Sequence, residues 1–353
     1  MTDAASVTIG VLGSYGGRNL GDEAILTGLL GDLRAQRPDA QIVVFSRNPE
    51  HTRRSHPEVE AAPWEGISRV DSGVVLDRLD MLILGGGGIL YDQEARRYLR
   101  LVRAAQERGL PVLTYAVGVG PLTDPVDCRM VRETLQEATV VSVRDEESRM
   151  VLEECGLLTP ISVTADPAFL LRPKEFPLDL LRGEGIPAGR RLVGMSVREP
   201  GRAAERLDVD GYHRLLAQVG DFLVHRIDAY VVFVPMERDD IRHSHGVLSH
   251  MTAADRGRIL HGDYPPEQIL GLMRHFDLAQ RLGVPALKGV AREVEGPLLA
   301  EVDQLWDERA ARARATADRV AEACSQARGT TEAIREVLAE LRPRPRVLAP
   351  VGR

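Results

Sequence analysis

The chain has 353 residues, a length typical of about two domains of roughly 100–200 residues each. Hydrophobic residues make up 44% of it and charged residues 27%, as in a globular protein that folds around a core. The formal net charge is −7 and the basic residues are dispersed, so we expect no nucleic-acid partner.

Three widely separated cysteines, Cys128, Cys155 and Cys324, favour neither a disulfide framework nor a structural zinc site. They suit a reducing compartment. The N-terminus lacks the basic and apolar regions of a signal peptide, and no apolar run reaches the ~18 residues that cross a bilayer. We therefore expect a cytoplasmic protein without a bound metal, which meets the inner face of a membrane only through its substrate.

The first half of the chain, residues 1–170, alternates apolar strands with helices. Strands are predicted at 7–12, 41–46, 81–84, 111–117, 139–143 and 161–164, and helices at 22–34, 94–108, 126–137 and 146–155. Apolar strands separated by helices predict a parallel sheet that is covered on both faces. In such sheets ligands bind beside the carboxyl ends of the strands.

The loop after the first strand, GSYGGRNLGDEAIL (residues 13–26), is rich in glycine. It has no Lys-Ser/Thr pair that would close a P-loop, and its glycines do not follow the order G-x-G-x-x-G. Neither of the common nucleotide-binding loops therefore explains it. Backbone N–H groups of a glycine loop that opens a helix can nevertheless bind an anion.

Four further loops follow predicted strands at the same edge of the sheet. They are GGGGILYD (85–92), GVGP (118–121), SVRDEES (142–148) and ADPAF (165–169). The four consecutive glycines indicate either a close approach of a ligand or a tight strand-to-helix turn. Arg144 directly follows a strand, so its side chain either reaches the crevice or pairs with Asp145 or Glu147 on the surface.

The second half begins after residues 171–191, which we interpret as an inter-domain linker because they contain prolines and glycines without periodicity. The second domain then covers 192–353. Strands are predicted at 192–198 and 229–236, and helices at 211–225, 266–276, 302–327 and 331–341. A strand-helix-strand order again predicts parallel pairing. Two secure strands leave little sheet, so the second domain is predicted to be shortened.

The motifs in their order resemble those of the polysaccharide pyruvyl transferase family. The resemblance rests on the opening loop, GGGGILYD, SVRDEES, ADPAF and FVPM (233–236), and extends from Val7 to about Asp277. It implies an α/β, GT-B-like fold with two Rossmann-like domains facing a cleft. It also implies transfer of pyruvate from phosphoenolpyruvate, without a further cofactor, to two hydroxyls of a sugar. The acceptor would be a cell-wall or exopolysaccharide precursor, often lipid-linked.

The resemblance implies that anion-binding groups hold phosphoenolpyruvate. Arginine makes bidentate contacts with carboxylate and phosphate, and Arg144 matches the strand-end arginine of the family. Arg198, at the end of the first strand of the second domain, is a second candidate. The other predicted substrate-binding residues lie in the opening loop and beside the glycine run: Gly16, Asn19, Gly21, Asp22, Gly86, Gly87 and Asp92. Asp22 suits an N-cap equally well, and Asp92 is open to a similar structural interpretation.

The reaction needs a proton donor, and the family supplies a histidine in a stretch resembling M-R-L-H. By comparison with the family pattern, a strand, a helix and this histidine are missing between Ala279 and Gln280. His275 in LMRHF is the remaining candidate for the catalytic role, with a packing role as the alternative. The HSH at 243–245 is interpreted as a solvated loop rather than a metal site.

Two other functions stay open. A nucleotide-sugar glycosyltransferase shares the two-domain fold, and Glu295 is the nearest candidate for its ribose-binding carboxylate. A non-catalytic remnant would bind phosphoenolpyruvate or a sugar without turnover. The charged segment 303–328 is predicted to be a solvated helix. Nothing in the sequence indicates an oligomeric state.

Overall fold

The computed structural model describes residues 6–66, 68–200, 207–280 and 291–344. Over these ranges the chain divides into two compact units. The first unit takes in the described residues up to Leu171 together with those from Arg319 onward, and the second takes in those between Arg172 and Asp318. The sequence-based division placed everything after residue 191 in the second domain, whereas the structure packs the end of the chain with the first unit.

The first unit consists of strands and the helices between them. Its strands are β1 (Thr8–Leu12), β2 (Gln41–Ser46), β3 (Glu60–Pro63), β4 (Met81–Leu84), β5 (Gly87–Leu90), β6 (Val112–Thr114), β7 (Val117–Val119), β8 (Val141–Val143) and β9 (Ile161–Val163). Its helices before the linker are α1 (Leu20–Gln36), α2 (Pro49–Ser55), α3 (Arg69–Leu76), α4 (Ala95–Gln106), α5 (Pro125–Gln136) and α6 (Glu146–Glu154). The hydrophobic pattern predicts all of these elements except α2, β3, α3 and the separate strands β5 and β7.

The strands of this unit pair in parallel, in the orders β3-β2-β1-β4-β6 and β5-β7-β8-β9 over the described residues. Gly85 and Gly86 separate β4 from β5, and Tyr115 and Ala116 separate β6 from β7, so the strand predicted at 111–117 is two strands. The two interruptions lie beside each other in the first unit. A Cβ atom at Gly86 would lie 3.2 Å from the carbonyl oxygens of Tyr115 and Ala116. Glycine therefore allows the two interruptions to pack together.

The second unit is also parallel. Its strands are β10 (Arg191–Met195), β11 (Ala229–Phe233), β12 (Gly257–Ile259) and β13 (Leu278–Gln280), in the order β12-β11-β10-β13, and its helices are α7 (Leu178–Gly183), α8 (Val209–Ile227), α9 (Arg238–His250) and α10 (Pro266–Met273). The sequence predicts only two of these strands, because β12 and β13 are three residues long and carry little pattern. The proposed gap between Ala279 and Gln280 falls within β13. Residues 281–290, which follow it, lie outside the described residues.

The last helix, α11 (Ala291–Glu340), is continuous where the sequence predicts two helices. Its final turns are not solvated on every face. Ile334 and Leu338 are buried in the core that also contains residues of β1 and α1. The hydroxyl of Thr330 lies 2.7 Å from that of Thr164. These contacts lie beyond the segment 303–328 that was predicted to be solvated, and they attach the final turns of the helix to the first unit. Within that segment Trp306 is buried, so it is not solvated along its whole length.

Cys128 in α5 and Cys155 after α6 form a disulfide, with their Cα atoms 5.3 Å apart. The expectation that the cysteines are unpaired was therefore wrong for these two. They meet because β7 and β8, which precede the two helices, are neighbours in the sheet. The third cysteine, Cys324, donates from its thiol to the carbonyl of Phe169.

Among the helices that the structure describes, none combines the length and the apolar composition that crossing a bilayer requires.

Replacing Leu338 by alanine tests the attachment of α11 to the first unit. The side chain is 1% exposed, so its truncation leaves a cavity, and we expect a loss of about 2–5 kcal/mol in unfolding free energy. Val320→Ala on the same helix is the control, because Val320 is 41% exposed and its truncation should change stability by about 0.5 kcal/mol or less. Urea unfolding of both variants would show whether the two losses differ; equal losses would contradict the packing.

Candidate functional site

Arg144 lies at the carboxyl ends of the strands of the first unit, where the sequence predicted ligand binding. It follows β8, and its guanidinium lies against two glycines of neighbouring strands. A Cβ atom at Gly118 in β7 would be 2.7 Å from the Cζ atom of Arg144, and one at Gly88 in β5 would be 3.6 Å from its Nη2 atom. Any side chain at position 118 would therefore displace the guanidinium, whereas position 88 leaves room for ordinary contact.

The same guanidinium is paired on both sides with carboxylates. Its Nη1 lies 3.6 Å from Asp166 and its Nε lies 3.3 Å from Asp145. The sequence left open whether Arg144 reaches the crevice or pairs with a neighbour; the structure shows the pair with Asp145, and the crevice role stays a prediction. The side chain remains 35% exposed. Because a guanidinium has five N–H donors in a planar fork, Arg144 retains donors for an anion.

Asp166, in the ADPAF motif, has an unusual charge environment. Burial raises the pKa of its carboxyl above the ordinary value, although the Ala168 N–H and Arg144 act in the opposite direction. Its Oδ1 accepts a 2.9 Å hydrogen bond from that N–H. The sequence pointed to the motif but not to this residue. A carboxyl that keeps its proton to a higher pH beside a cation is suited to donating that proton.

The opening loop is held by its own side chains. Asn19 is the N-cap of α1, and its Oδ1 accepts from the amides of Gly21 and Asp22 at 3.0 and 3.3 Å. Asn19 thus takes the capping role that the sequence allowed for Asp22. Asp22 lies instead in the first turn of the helix. A Cβ atom at Gly87 would lie 3.5 Å from an Asp22 carboxylate oxygen, so Asp22 borders the glycine run.

Glu23 orders the remainder of this loop. Its buried carboxylate accepts hydrogen bonds from the amides of Gly16 and Arg18 at 2.9 and 3.4 Å. Gly16 has φ +77°, and a Cβ atom there would be 2.1 Å from the Ser46 hydroxyl. These loop amides already have internal acceptors. The substrate-binding roles of Gly16, Asn19, Gly21 and Arg144 stay predictions.

Tyr15 lies beneath the glycine run and was missed because it stands between loop glycines. A Cβ atom at Gly85 would be 2.0 Å from its hydroxyl oxygen. The hydroxyl is buried and has no hydrogen-bond partner among the residues described. Burial raises its pKa well above the ordinary value, and the charges of Asp22 and Asp166 act in the same direction. The phenol of Tyr15 therefore lies within electrostatic range of both carboxylates.

The glycine run itself has structural reasons for lacking side chains. Gly86 approaches the carbonyls between β6 and β7, and Gly87 has φ +107°, a region that favours glycine. Asp92, beyond it, accepts from the Thr123 and Asp124 amides at 2.9 and 3.0 Å and thereby holds the turn before α5. The predicted substrate-binding roles of Gly86, Gly87 and Asp92 remain untested predictions.

In the second unit, Arg198 donates to Glu237 at 2.6 Å, and Glu237 forms a capping box with Asp240 at the start of α9. The Nε2 of His275 donates to the Phe176 carbonyl at 3.1 Å. Both candidate side chains therefore have partners within their own unit. If His275 acts on a substrate, its Nδ1 is the nitrogen that remains.

The HSH sequence is part of α9 and not a solvated loop. The ring of His243 is buried, and its Nδ1 lies 3.0 Å from the Nε2 of His213 in α8. The helix was missed because its single apolar face is short and contains this histidine. The side chain of Glu295, proposed for a ribose contact, lies outside the described residues.

Asp166→Asn tests the proton affinity of this carboxyl without relying on turnover. A raised folded-state pKa means that the carboxyl favours the fold below its unfolded pKa of about 3.9 and that this contribution is lost as pH rises through the folded pKa. Asparagine mimics the protonated form, so we expect the variant to melt at a higher temperature than wild type at neutral pH. At about pH 3.5 or below, the variant and wild type should melt at the same temperature. Melting curves across this range would check it, with exposed Asp179→Asn as control. A variant that melts lower at neutral pH would contradict the shift.

Known proteins resemble this chain in sequence and in fold. The sequence model of the family described as polysaccharide pyruvyl transferase matches residues 19–279. No curated protein matches the chain. Among solved structures, HepE from Anabaena in complex with UDP and glucose has a TM-score of 0.53 at 14% identity, over 94% of this chain and 99% of that one.

Two further structures have the same general architecture. A putative UDP-N-acetylglucosamine 2-epimerase from Listeria monocytogenes has a TM-score of 0.54 at 13% identity, over 80% of this chain and 77% of its own. A UDP-GlcNAc 2-epimerase from Methanocaldococcus jannaschii has a TM-score of 0.53 at 12% identity, over 81% and 82%. At these identities the likeness shows the fold alone, which is an α/β fold with two Rossmann-like units of the GT-B kind. The match over residues 19–279 shows more: the chain belongs to the polysaccharide pyruvyl transferase family.

Proposed function

We propose that this protein transfers pyruvate from phosphoenolpyruvate to two hydroxyls of a saccharide, forming a ketal. The observation that carries the proposal is the Arg144 guanidinium, which lies against Gly118 and 3.6 Å from the carboxyl of Asp166, whose pKa burial raises. Phosphoenolpyruvate has a phosphate and a carboxylate, and both are anions that arginine binds. A cation beside a carboxyl of raised pKa suits a donor that must be bound and then protonated.

The reaction begins with a proton added to the methylene carbon of phosphoenolpyruvate, which makes C2 electrophilic. One sugar hydroxyl forms a bond from its oxygen to C2 and gives its proton to the group that protonated the methylene carbon, which restores the acid. The second hydroxyl then attacks C2, the bond from C2 to the phosphate oxygen breaks, and the second proton goes to the released phosphate. The products are a pyruvate ketal and inorganic phosphate, and no oxidant or reductant is needed.

In this proposal Arg144 binds the donor anion and Asp166 supplies the proton. Asp22, which borders the glycine run, orients an acceptor hydroxyl. Arg198 remains a proposed anion contact. His275 is the competing proton donor through its Nδ1. The acceptor is a cell-wall or exopolysaccharide precursor, soluble or lipid-linked, and phosphoenolpyruvate is a substrate rather than a resident cofactor.

Two other functions share part of this support. The HepE structure contains UDP and glucose, which motivates a nucleotide-sugar transferase as the alternative. A binding-only protein would be protected against heat by phosphoenolpyruvate without releasing phosphate. Adding UDP-sugars to a phosphate-release assay tests the first alternative. Measuring thermal protection by phosphoenolpyruvate tests the second.

The direct test is phosphate release from phosphoenolpyruvate with a panel of soluble and lipid-linked saccharides. We expect acceptor-dependent release that Arg144→Ala reduces by about 10²–10³-fold, since it removes a charge-assisted contact to the reacting anion. Arg149→Ala is the matched control, because this arginine pairs with Glu146 at 2.7 Å on the surface of α6. Equal release by wild type and Arg144→Ala would contradict the proposal.

The proton donor is identified by comparing Asp166→Asn with His275→Gln. If Asp166 is the acid, the asparagine variant loses about 10²–10⁴-fold in kcat, and wild-type kcat falls as pH rises through the raised pKa of Asp166. Glutamine at 275 can still donate to the Phe176 carbonyl, so that variant should fold and turn over. The reverse pattern would assign the proton to His275.

A further inference from the structure

A group of aromatic and charged side chains beside the reaction site has no role in the chemistry above. These residues follow β2, β3 and β5 or begin α4, at the same edge of the first unit. We call them the Trp64 cluster: Arg47, Trp64, Glu65, Tyr91, Arg97 and Tyr98.

The centre of the cluster is aromatic. The rings of Trp64 and Tyr98 are tilted and their centroids are 4.9 Å apart. The Cζ atoms of Arg47 and Arg97 lie 5.9 and 5.8 Å from the centroid of Trp64. At these distances both guanidinium groups are attracted by the ring, which restrains two otherwise flexible side chains.

Glu65 joins the two arginines. One of its carboxylate oxygens lies 2.7 Å from Arg97 and 3.2 Å from Arg47. Arg97 also contacts Glu94 at 3.0 Å. Together with Glu94, which lies outside the cluster, Glu65 balances the charges of the two arginines, so the cluster and Glu94 carry no net formal charge between them. This balance makes it a poor site for phosphate and a suitable one for an uncharged polyol.

The cluster is ordered but open. The side chain of Arg97 is 46% exposed and Tyr91 is 40% exposed, so both are accessible to a ligand. The indole Nε1 of Trp64 is buried and has no hydrogen-bond partner among the residues described. Planar donors and acceptors held beside an exposed aromatic ring offer both hydrogen bonds and an apolar face to a ligand.

The cluster borders the reaction site. The Nη1 of Arg47 would lie 3.6 Å from a Cβ atom at Gly17 in the opening loop. The negative charge of Asp22 acts on the phenols of both Tyr91 and Tyr98. A ligand on the cluster would therefore extend toward Asp22, which in the proposed function orients the acceptor hydroxyl.

We propose that the Trp64 cluster binds a sugar ring of the acceptor, with Tyr91 against its apolar face and Arg47, Glu65 and Arg97 hydrogen-bonded to its hydroxyls. The assignment of this sugar as the acceptor rests on the proposed function. The binding of an uncharged pyranose rests on the cluster alone.

The chain offers an internal probe, because it has two tryptophans and Trp306 is the other one. In Trp306→Phe, emission from Trp64 is followed during titration with methyl glycosides of hexoses and N-acetylhexosamines. We expect a saturable change. In this background, Arg97→Ala should raise the dissociation constant about tenfold or more, because it removes a hydrogen bond from a charged group to the sugar. Tyr91→Ala should raise it by about the same factor, because it removes the ring that packs against the apolar face of the sugar. Tyr91→Phe keeps the ring and should bind within about twofold of the background.

A second readout keeps both native tryptophans and so does not depend on the folding of Trp306→Phe. In the phosphate-release assay, Tyr91→Ala should raise the KM for the acceptor and leave the KM for phosphoenolpyruvate unchanged. Glycoside binding without any turnover would defeat the proposed function but uphold the subsite. No glycoside response at all, or wild-type binding by both Tyr91→Ala and Arg97→Ala, would overturn the subsite.

Discussion

Because residue 118 is a glycine, no side chain fills the space beside Arg144, and the proposed reaction site depends on this constraint. The Cζ atom of Arg144 occupies space within 2.7 Å of where a Cβ atom at this position would stand. The arginine is thereby held against the ends of β5 and β7 and not released into solvent. A cation in this position is available to an anion at the carboxyl edge of the sheet, where parallel α/β units bind ligands.

Acidic groups around this cation give the site its chemistry. Asp145 and Asp166 both contact Arg144, yet burial keeps the pKa of Asp166 raised and so favours a proton there. Burial also raises the pKa of the Tyr15 phenol below them, and it therefore remains neutral. The pKa of Asp166 is raised whereas that of the more open Asp145 is lowered, so the two carboxyls differ in proton affinity, as the proposed division between an acid and the groups that bind substrate requires.

The sequence predicted the parallel strands, the loops at their ends and Arg144, because apolar runs, glycines and strand-end charges are local patterns. It did not predict β12 or β13, whose three residues carry too little periodicity. The Cys128–Cys155 bond depends on two helices that become neighbours only in the folded sheet. The buried end of α11 depends on a few apolar residues in a charged helix. Asp166, Gly118 and Tyr15 likewise acquire their roles only through contacts distant in sequence.

The central claim is that the position of the Arg144 guanidinium, and not only its charge, binds the anionic donor. The most direct test is calorimetric titration of phosphoenolpyruvate into wild type, Gly118→Ala and Gly88→Ala. A methyl group at 118 displaces the end of a flexible side chain while the charge remains, whereas one at 88 makes ordinary contact at 3.6 Å. We predict that Gly118→Ala binds about tenfold more weakly or worse and that Gly88→Ala binds as wild type does. Wild-type affinity in Gly118→Ala would contradict the account.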